Sequence, residues 1–510
     1  MGISTETPIA VLDPPAIEPQ PAAGASGRVP SFRLAVWLFL SFLFLYMLTS
    51  TGRVRTADEY NTLYTTESLV LRGSTAVPQA VALHNFYGRY DLSGEPRAAY
   101  PPLHALLSTP WYALGQYVLS RLPGVPAEDR DLVVGFSTCL SSALFSALTV
   151  SFFFLLMVRL GVSVSASLLA TALLGFATPV FSYSGWLFSE PLSAAAFTAV
   201  ALILLGRPDE PIAVRSAAFA GLILGLATWI RPTNVLAIAV FALAIFVREG
   251  KAALRGAVVL CAASGMGVAA LLFRNAECFG SPFDFGYPTT AGGVAIENRF
   301  DTPWATGLYG FLLSPGKSLL LFAPPVLVAM AGLPRLWRRD RGLAALAAAF
   351  PLIYLIFYAR YAHWEGGYCV GPRYLVPAIP MLCLGLGPIL DGRAARARKL
   401  AVACLIAGAM IQLTSLATSF LEDQNPARGR YYDAHWQYRL SYSLTGQLEL
   451  AWKYLTNGQP SRLGLGWDRW FVFLHRGGIS AGTLWFLALL LLVGLGSSVA
   501  GLVRNLRSVS

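Results

Sequence analysis

The chain has 510 residues, of which 55% are hydrophobic and only 13% charged, and its net charge is +11. Soluble chains average about 25% charged residues, so a string of ordinary soluble domains is excluded, and a mean hydropathy of +0.56 points to an all-α integral membrane protein. The Lys and Arg residues lie scattered between apolar runs rather than on one amphipathic element, which argues against nucleic acid as a partner, and the six cysteines form no CxxC or Cys/His ligand spacing.

Residues 1–31 are rich in Pro and Ala and lack an apolar core, so they read as a disordered cytoplasmic N-terminal tail. The apolar run from Leu34 to Thr49 is too long and too aromatic for a cleaved signal peptide and reads as an uncleaved anchor. A span needs about 20 mainly apolar residues. That length places helices near 33–50, 132–158, 164–183, 190–206, 214–230, 233–247, 254–273, 316–334, 342–360, 374–390, 399–420 and 481–503: about twelve, within a range of 11–13. Segment 103–119 has Pro101 and Pro102 before it and Pro110 inside it, and fits an interfacial helix as well as a span.

The basic residues orient the bundle. With Arg28 and Arg33 in the cytoplasm, Arg159, Arg207, Arg215, Arg248, Lys251, Arg255, Arg335, Arg338, Arg339, Arg341, Arg393, Arg396, Arg398, Lys399, Arg504 and Arg507 all fall on that side, as the positive-inside rule requires. The long connections 51–131, 274–315, 361–373 and 421–480 then face outward, rich in Tyr, Trp and carboxylates. This pattern suggests the cytoplasmic membrane of a cell and an active site on its extracytoplasmic face. Cys278 and Cys369 lie in predicted outer loops and are candidates to pair.

Asp58-Glu59-Tyr60 follows the first span directly. Ionisable groups at a membrane rim are costly and point to function; one carboxylate would serve as general base for a hydroxyl. The plainer reading is a helix start, with acidic residues capping the first turn. Arg373, between Pro372 and Tyr374 at the outer start of a span, is suited to bidentate phosphate binding or to snorkelling toward headgroups. Arg231, also at the outer rim, runs against the basic-inside trend, and Arg72, Arg53 and Lys317 are further cations in or beside the outer loops. Glu190 and Glu365 are rim carboxylates that would either contact substrate or pair an Arg. His84, His104, His363 and His435 form no metal pattern and no DxD element stands in the outer loops, so no cofactor or metal is indicated.

The acidic pair at the end of the first span, Ala99-Tyr100-Pro101-Pro102-Leu103, Ser189-Glu190-Pro191, Trp229-Ile230-Arg231-Pro232, and Trp364-Glu365-Gly366-Gly367-Tyr368 followed by Gly371-Pro372-Arg373-Tyr374-Leu375 together resemble the GT-C glycosyltransferases. The resemblance is to the protein O-mannosyltransferase and lipid A aminoarabinose transferase branch, and it covers residues 33–420 in order and sidedness. It implies a GT-C-type bundle with a catalytic module over 32–420, first outer loop 51–131 included, an aromatic-rich outer loop 421–480, and a last helix and cytoplasmic tail over 481–510. It further implies an inverting transfer of a sugar from a polyprenyl-phosphate-linked donor to a hydroxyl on a glycan, lipid or protein acceptor, among membrane lipids. Asp58 matches the catalytic base and Glu59 its supporting neighbour. Arg373, Arg231 and Arg72 become donor-phosphate ligands, and Glu190, Tyr100, His363, Glu365 and Tyr374 substrate contacts. The rival reading is a twelve-span transporter or flippase, but no two-fold repeat is present and ionisable residues are nearly absent from the spans.

Overall fold

The computed structural model describes residues 28–418, 444–457 and 469–507, apart from residues 85, 123, 127–128, 208–209, 289, 292–293, 296–298, 368 and 393–394. Among these residues seven stretches are long and apolar enough to cross a membrane: Ser31–Leu48, Arg130–Arg159, Pro232–Phe279, Arg341–Ala359, Arg373–Asp391, Ala395–Ala417 and Ala481–Arg507. Pro232–Phe279 is two helices, Leu236–Glu249 and Leu254–Phe279, joined by the turn Gly250–Ala253. Among the described residues the only strands are two short two-stranded pairings, Gly88–Tyr90 with Pro96–Ala98 and Thr290–Ala291 with Val294–Ala295. The chain is therefore an all-α multi-pass membrane protein.

Helix α1 (Arg28–Leu48) starts inside the predicted tail; residues 1–27 lie outside the described residues. Three predicted spans are short helices, Val164–Phe176, Glu190–Leu205 and Val214–Ala227. Sixteen residues rise only about 24 Å, less than the roughly 30 Å hydrocarbon core. Glu190–Leu205 is buried along nearly all its length, so neighbouring helices, not lipid, surround it. The predicted span 316–334 is broken. Ser318 caps the single turn Leu319–Phe322, and the helix resumes as Pro325–Arg339, because Pro324 and Pro325 have no N–H to continue the ladder. Arg373–Asp391 mixes 3₁₀ and α turns for the same reason, with Pro377, Pro380 and Pro388 inside it.

The long helix Arg130–Arg159 forms the spine of the core, with both faces lined by buried residues. The last helix, Ala481–Arg507, closes on α1, where Ser41 Oγ bonds Ser498 Oγ at 3.1 Å and Gly501 lies against the Trp37 ring. Helices Val214–Ala227 and Leu254–Phe279 approach at Gly225 and Gly267. A Cβ on Gly267 would stand 2.6 Å from the Gly225 carbonyl carbon, the small-residue contact by which helices pack where no hydrophobic drive exists between them.

The two ends of the bundle differ. At one end the basic connections tie together: Arg248 bonds the Arg207 carbonyl and lies 3.5 Å from Asp340, and Asp391 accepts from Arg339 at 2.5 Å and from the Ser163 N–H at 2.9 Å. The exit of α1 and the starts of Glu190–Leu205 and Arg373–Asp391 gather at the other. There the loop 51–131 folds into α2 (Ala57–Arg72), the strand pair of Gly88–Tyr90 and Pro96–Ala98, and α3 (Leu103–Ser120). The ambiguous segment 103–119 is thus a helix that packs on α2 and the spine and is not among the long apolar stretches.

Of the predicted outer loop 421–480, residues 421–443 and 458–468, with His435, lie outside the described residues. Leu444–Asn457 and Trp470–Arg476 are helices. Trp470 stacks on Phe136 at 5.2 Å and donates Nε1–H to the Leu48 carbonyl at 3.0 Å, which fixes the exit of α1. All six cysteines are free, so Cys278 and Cys369 do not pair.

Candidate active site

The site is built on the first turns of α2. Thr56 is its N-cap, accepting from the Glu59 N–H at 3.3 Å, while Glu59 Oε2 accepts from the Thr56 and Arg55 N–H groups, each at 3.1 Å. This reciprocal pair is a capping box. Glu59 Oε1 reaches the Leu187 N–H at 3.1 Å and so ties α2 to the turn before Glu190–Leu205. With both oxygens held by backbone, Glu59 is a structural carboxylate. It does not line the cavity beside Asp58, and its place is to hold the helix turn that presents Asp58. Burial pushes its carboxyl upward, opposed by the Arg55 charge and the backbone bonds, and the net direction is up.

One residue earlier, Asp58 points the other way. Asp58, Asn61, Thr62 and Thr65 recur at helical spacing and put a polar stripe along one wall of a small cavity that is partly open to solvent. Asp58 Oδ1 accepts from the Tyr100 hydroxyl at 2.6 Å and Oδ2 from Arg373 Nη1 at 2.5 Å. Arg373 Nε donates to Glu190 Oε1 at 2.8 Å, the same oxygen receives Arg231, and Arg373 Nη1 also reaches the Gly366 carbonyl at 3.3 Å. Two carboxylates and two guanidiniums thus alternate in one chain, which is how buried charges are tolerated. Asp58 is its accessible member, at 21% side-chain exposure against 5% for Arg373 and 0% for Glu190.

The electrostatics follow from this chain. Burial pushes the Asp58 carboxyl up, but the Arg373 charge, the hydrogen bonds from Tyr100 and Arg373, and the Arg231 charge outweigh it, so it lies below its ordinary range. Burial and the Asp58 charge push the Tyr100 phenol well up, so Tyr100 remains a proton donor.

Gly366 fits the same design. Its φ is +79°, and a Cβ there would stand 3.0 Å from Arg373 Cβ, so glycine lets the turn close over Arg373. The Arg373 guanidinium lies 4.0 Å over the Phe188 ring, which forms another cavity wall.

The structure therefore unites Asp58, Tyr100, Glu190, Arg231 and Arg373 from five separate stretches of sequence. It differs from expectation for several others. Arg72 ends α2, about 21 Å along the helix axis from Asp58, and bonds Ser68 and Gln79 (2.6 Å); it is no phosphate ligand of this site. Glu190 stands behind Arg373, not on the cavity wall, and positions both arginines. Tyr374 stacks on Tyr358 at 4.2 Å with the Arg231 guanidinium 4.8 Å over its ring, so it too supports rather than lines the cavity. His363 and Glu365 pair with each other at 3.6 Å in the turn before Arg373, again off the cavity wall. Lys317 Nζ is spent on the Cys369 carbonyl at 2.7 Å. The sequence reading missed Asn61, Thr62, Thr65, His104 and Phe188. The polar stripe 58-61-62-65 at i, i+3, i+4, i+7 was the available signal for the first three.

No protein-family model matches the chain, and no curated protein matches it. Among solved structures it is similar to ArnT from Cupriavidus metallidurans bound to undecaprenyl phosphate, at 16% identity over 94% of this chain and 78% of that one, with a TM-score of 0.47. The apo state of the same protein matches at 16% identity over 94% and 75% of the two chains, with a TM-score of 0.48. Likeness of this degree assigns no chemistry, which has to come from the site.

Proposed function

We propose that this chain is an inverting membrane glycosyltransferase, moving a hexosyl or pentosyl group from a polyprenyl-phosphate-linked donor to an acceptor hydroxyl at the extracytoplasmic face of the cytoplasmic membrane. The observation that carries the reading is an accessible carboxylate, Asp58, held by Arg373 and Tyr100 on the wall of a cavity. The order of motifs that resembles the GT-C glycosyltransferases supports it. The gathering of basic connections at the opposite end of the bundle supports the sidedness.

The chemistry fits these groups. A phosphate-linked sugar brings its own leaving group, so the demanding partner is the hydroxyl, which needs a positioned base. In the resting state Asp58 is paired and is a weak base. An anionic donor phosphate competes for the Arg373 guanidinium and the Tyr100 hydroxyl, both of which suit phosphate oxygens. As they turn to the phosphate, Asp58 loses its stabilising partners and its proton affinity rises. The acceptor oxygen then bonds the anomeric carbon from the face opposite the phosphate and its proton passes to Asp58. The bond between the anomeric carbon and the phosphate oxygen breaks, and the electron pair leaves on a polyprenyl phosphate facing Arg373. Glu190 and Arg231 hold Arg373 in register throughout. A single displacement of this kind inverts the anomeric centre.

The test is mass spectrometry of lipid co-purified in mild detergent, with binding of added undecaprenyl phosphate. Retention of polyprenyl phosphates, lost on Arg373 substitution, is the expected result. Indifference to polyprenyl phosphates in a folded protein would overturn the proposal.

A further inference from the structure

The cavity beside Asp58 carries hydrogen-bonding groups that the mechanism above does not use. His104, in the first turn of α3, lines the cavity, is 3% exposed, and has no partner for either ring nitrogen. Its ring lies 6.2 Å from that of Phe145 on the spine helix, an apolar neighbour that offers no hydrogen bond. Asn61, on the α2 wall, spends its Nδ2 on the Tyr87 carbonyl at 2.8 Å, which leaves Oδ1 buried and unpartnered. Thr62 and Thr65 donate to the carbonyls of Asp58 and Asn61, so their hydroxyls offer only acceptor lone pairs. Buried polar groups are almost always paired. Orphans on two walls of one cavity mark a place where a ligand completes the set.

From this geometry we infer that His104 and Asn61 form the sugar subsite, binding ring hydroxyls of the transferred sugar while Arg373 and Tyr100 take the phosphate. The inference rests on the glycosyltransferase reading and names which part of the donor meets which wall. A hydroxyl both donates and accepts, so it suits a neutral imidazole, with one donor and one acceptor, and an amide oxygen. Burial holds His104 at about 4, so it is uncharged at neutral pH and has no ionic claim on phosphate. The division of labour follows: cationic and phenolic donors on the anion, neutral donor–acceptor groups on the sugar.

The experiment compares two ligands on one protein. Binding of undecaprenyl phosphate, and of undecaprenyl phosphate carrying glucose, mannose or arabinose, is measured on the purified full chain. Wild-type protein should prefer at least one glycosylated lipid to the bare lipid phosphate. His104→Phe should weaken that glycosylated lipid by about 3- to 10-fold, the loss of one hydrogen bond, and leave the bare lipid phosphate unchanged. His104→Gln, which keeps a donor and an acceptor, should restore much of the preference. If His104→Phe fails to fold, Ala105→Val decides by the same readout, because it narrows the cavity next to His104. An intact preference in His104→Phe, or no wild-type preference for any glycosylated lipid, overturns the subsite. Failure of wild-type protein to bind any of the four lipids is a different result and overturns the underlying function.

Discussion

Replacing Arg373 with Met removes the centre of the charge chain while keeping much of its volume. Glu190 retains Arg231, but Asp58 is left with Tyr100 alone. Breaking a buried ion pair typically costs about 3–5 kcal/mol, because a charge is left buried and uncompensated. Asp58 keeps 21% exposure, so water recovers part of this and the lower end, about 3 kcal/mol, applies. The double variant Arg373→Met/Asp58→Asn no longer holds an unpaired carboxylate and should be more stable than Arg373→Met alone by about 1–3 kcal/mol. Denaturant unfolding in detergent, followed by tryptophan fluorescence, measures both. Strictly additive destabilisation would refute the reasoning, since groups in one network should show an interaction energy.

Other expectations test the same account from different sides. Because Asp58 is depressed in the folded protein, its contribution is present above the ordinary carboxylate value of about 3.9 and is lost as pH falls through the lower folded value. The acid limb of kcat/KM, which reports the free enzyme, should therefore fall below pH about 4, and Arg373→Met should move it upward. An unmoved limb would mean that Asp58 is not the group titrating. Thr56→Ala should cost about 1 kcal/mol of stability as a lost cap, and Glu59→Gln should lower stability with kcat largely spared; a selective collapse of kcat in folded Glu59→Gln would return Glu59 to the chemistry. Arg72→Ala should leave lipid binding unchanged, which a direct titration checks.

Much of the site was legible in the sequence, and the reason is chemical. Charged residues are so rare in this chain that Asp58, Glu190, Arg231 and Arg373 stood out at span ends, and the basic connections gave the sidedness that put all four together. What was not legible was their mutual use. Thr56-x-x-Glu59 is a capping box in sequence, yet the adjacent Asp58 drew Glu59 into the same catalytic reading; a helix sends neighbouring side chains about 100° apart, so one caps while the other faces the cavity. Glu365, His363 and Tyr374 share motifs with Arg373 but support it from behind, and no one-dimensional spacing separates a wall from its buttress. His104 looked like one more isolated histidine because its significance is its lack of partners, which only packing reveals. Breaks at Pro324–Pro325 and within 373–391 were marked by prolines inside apolar runs that hydropathy alone read as continuous.

The central claim is that Asp58 takes the acceptor proton. Asp58→Asn keeps the size of the side chain and its bond to Arg373 but cannot accept a proton. With the lipid donor identified from co-purified material, single-turnover transfer should fall by about 10²–10⁴-fold, the usual contribution of a positioned base, while equilibrium binding of the donor survives. Near-normal transfer by folded, donor-binding Asp58→Asn would contradict the account.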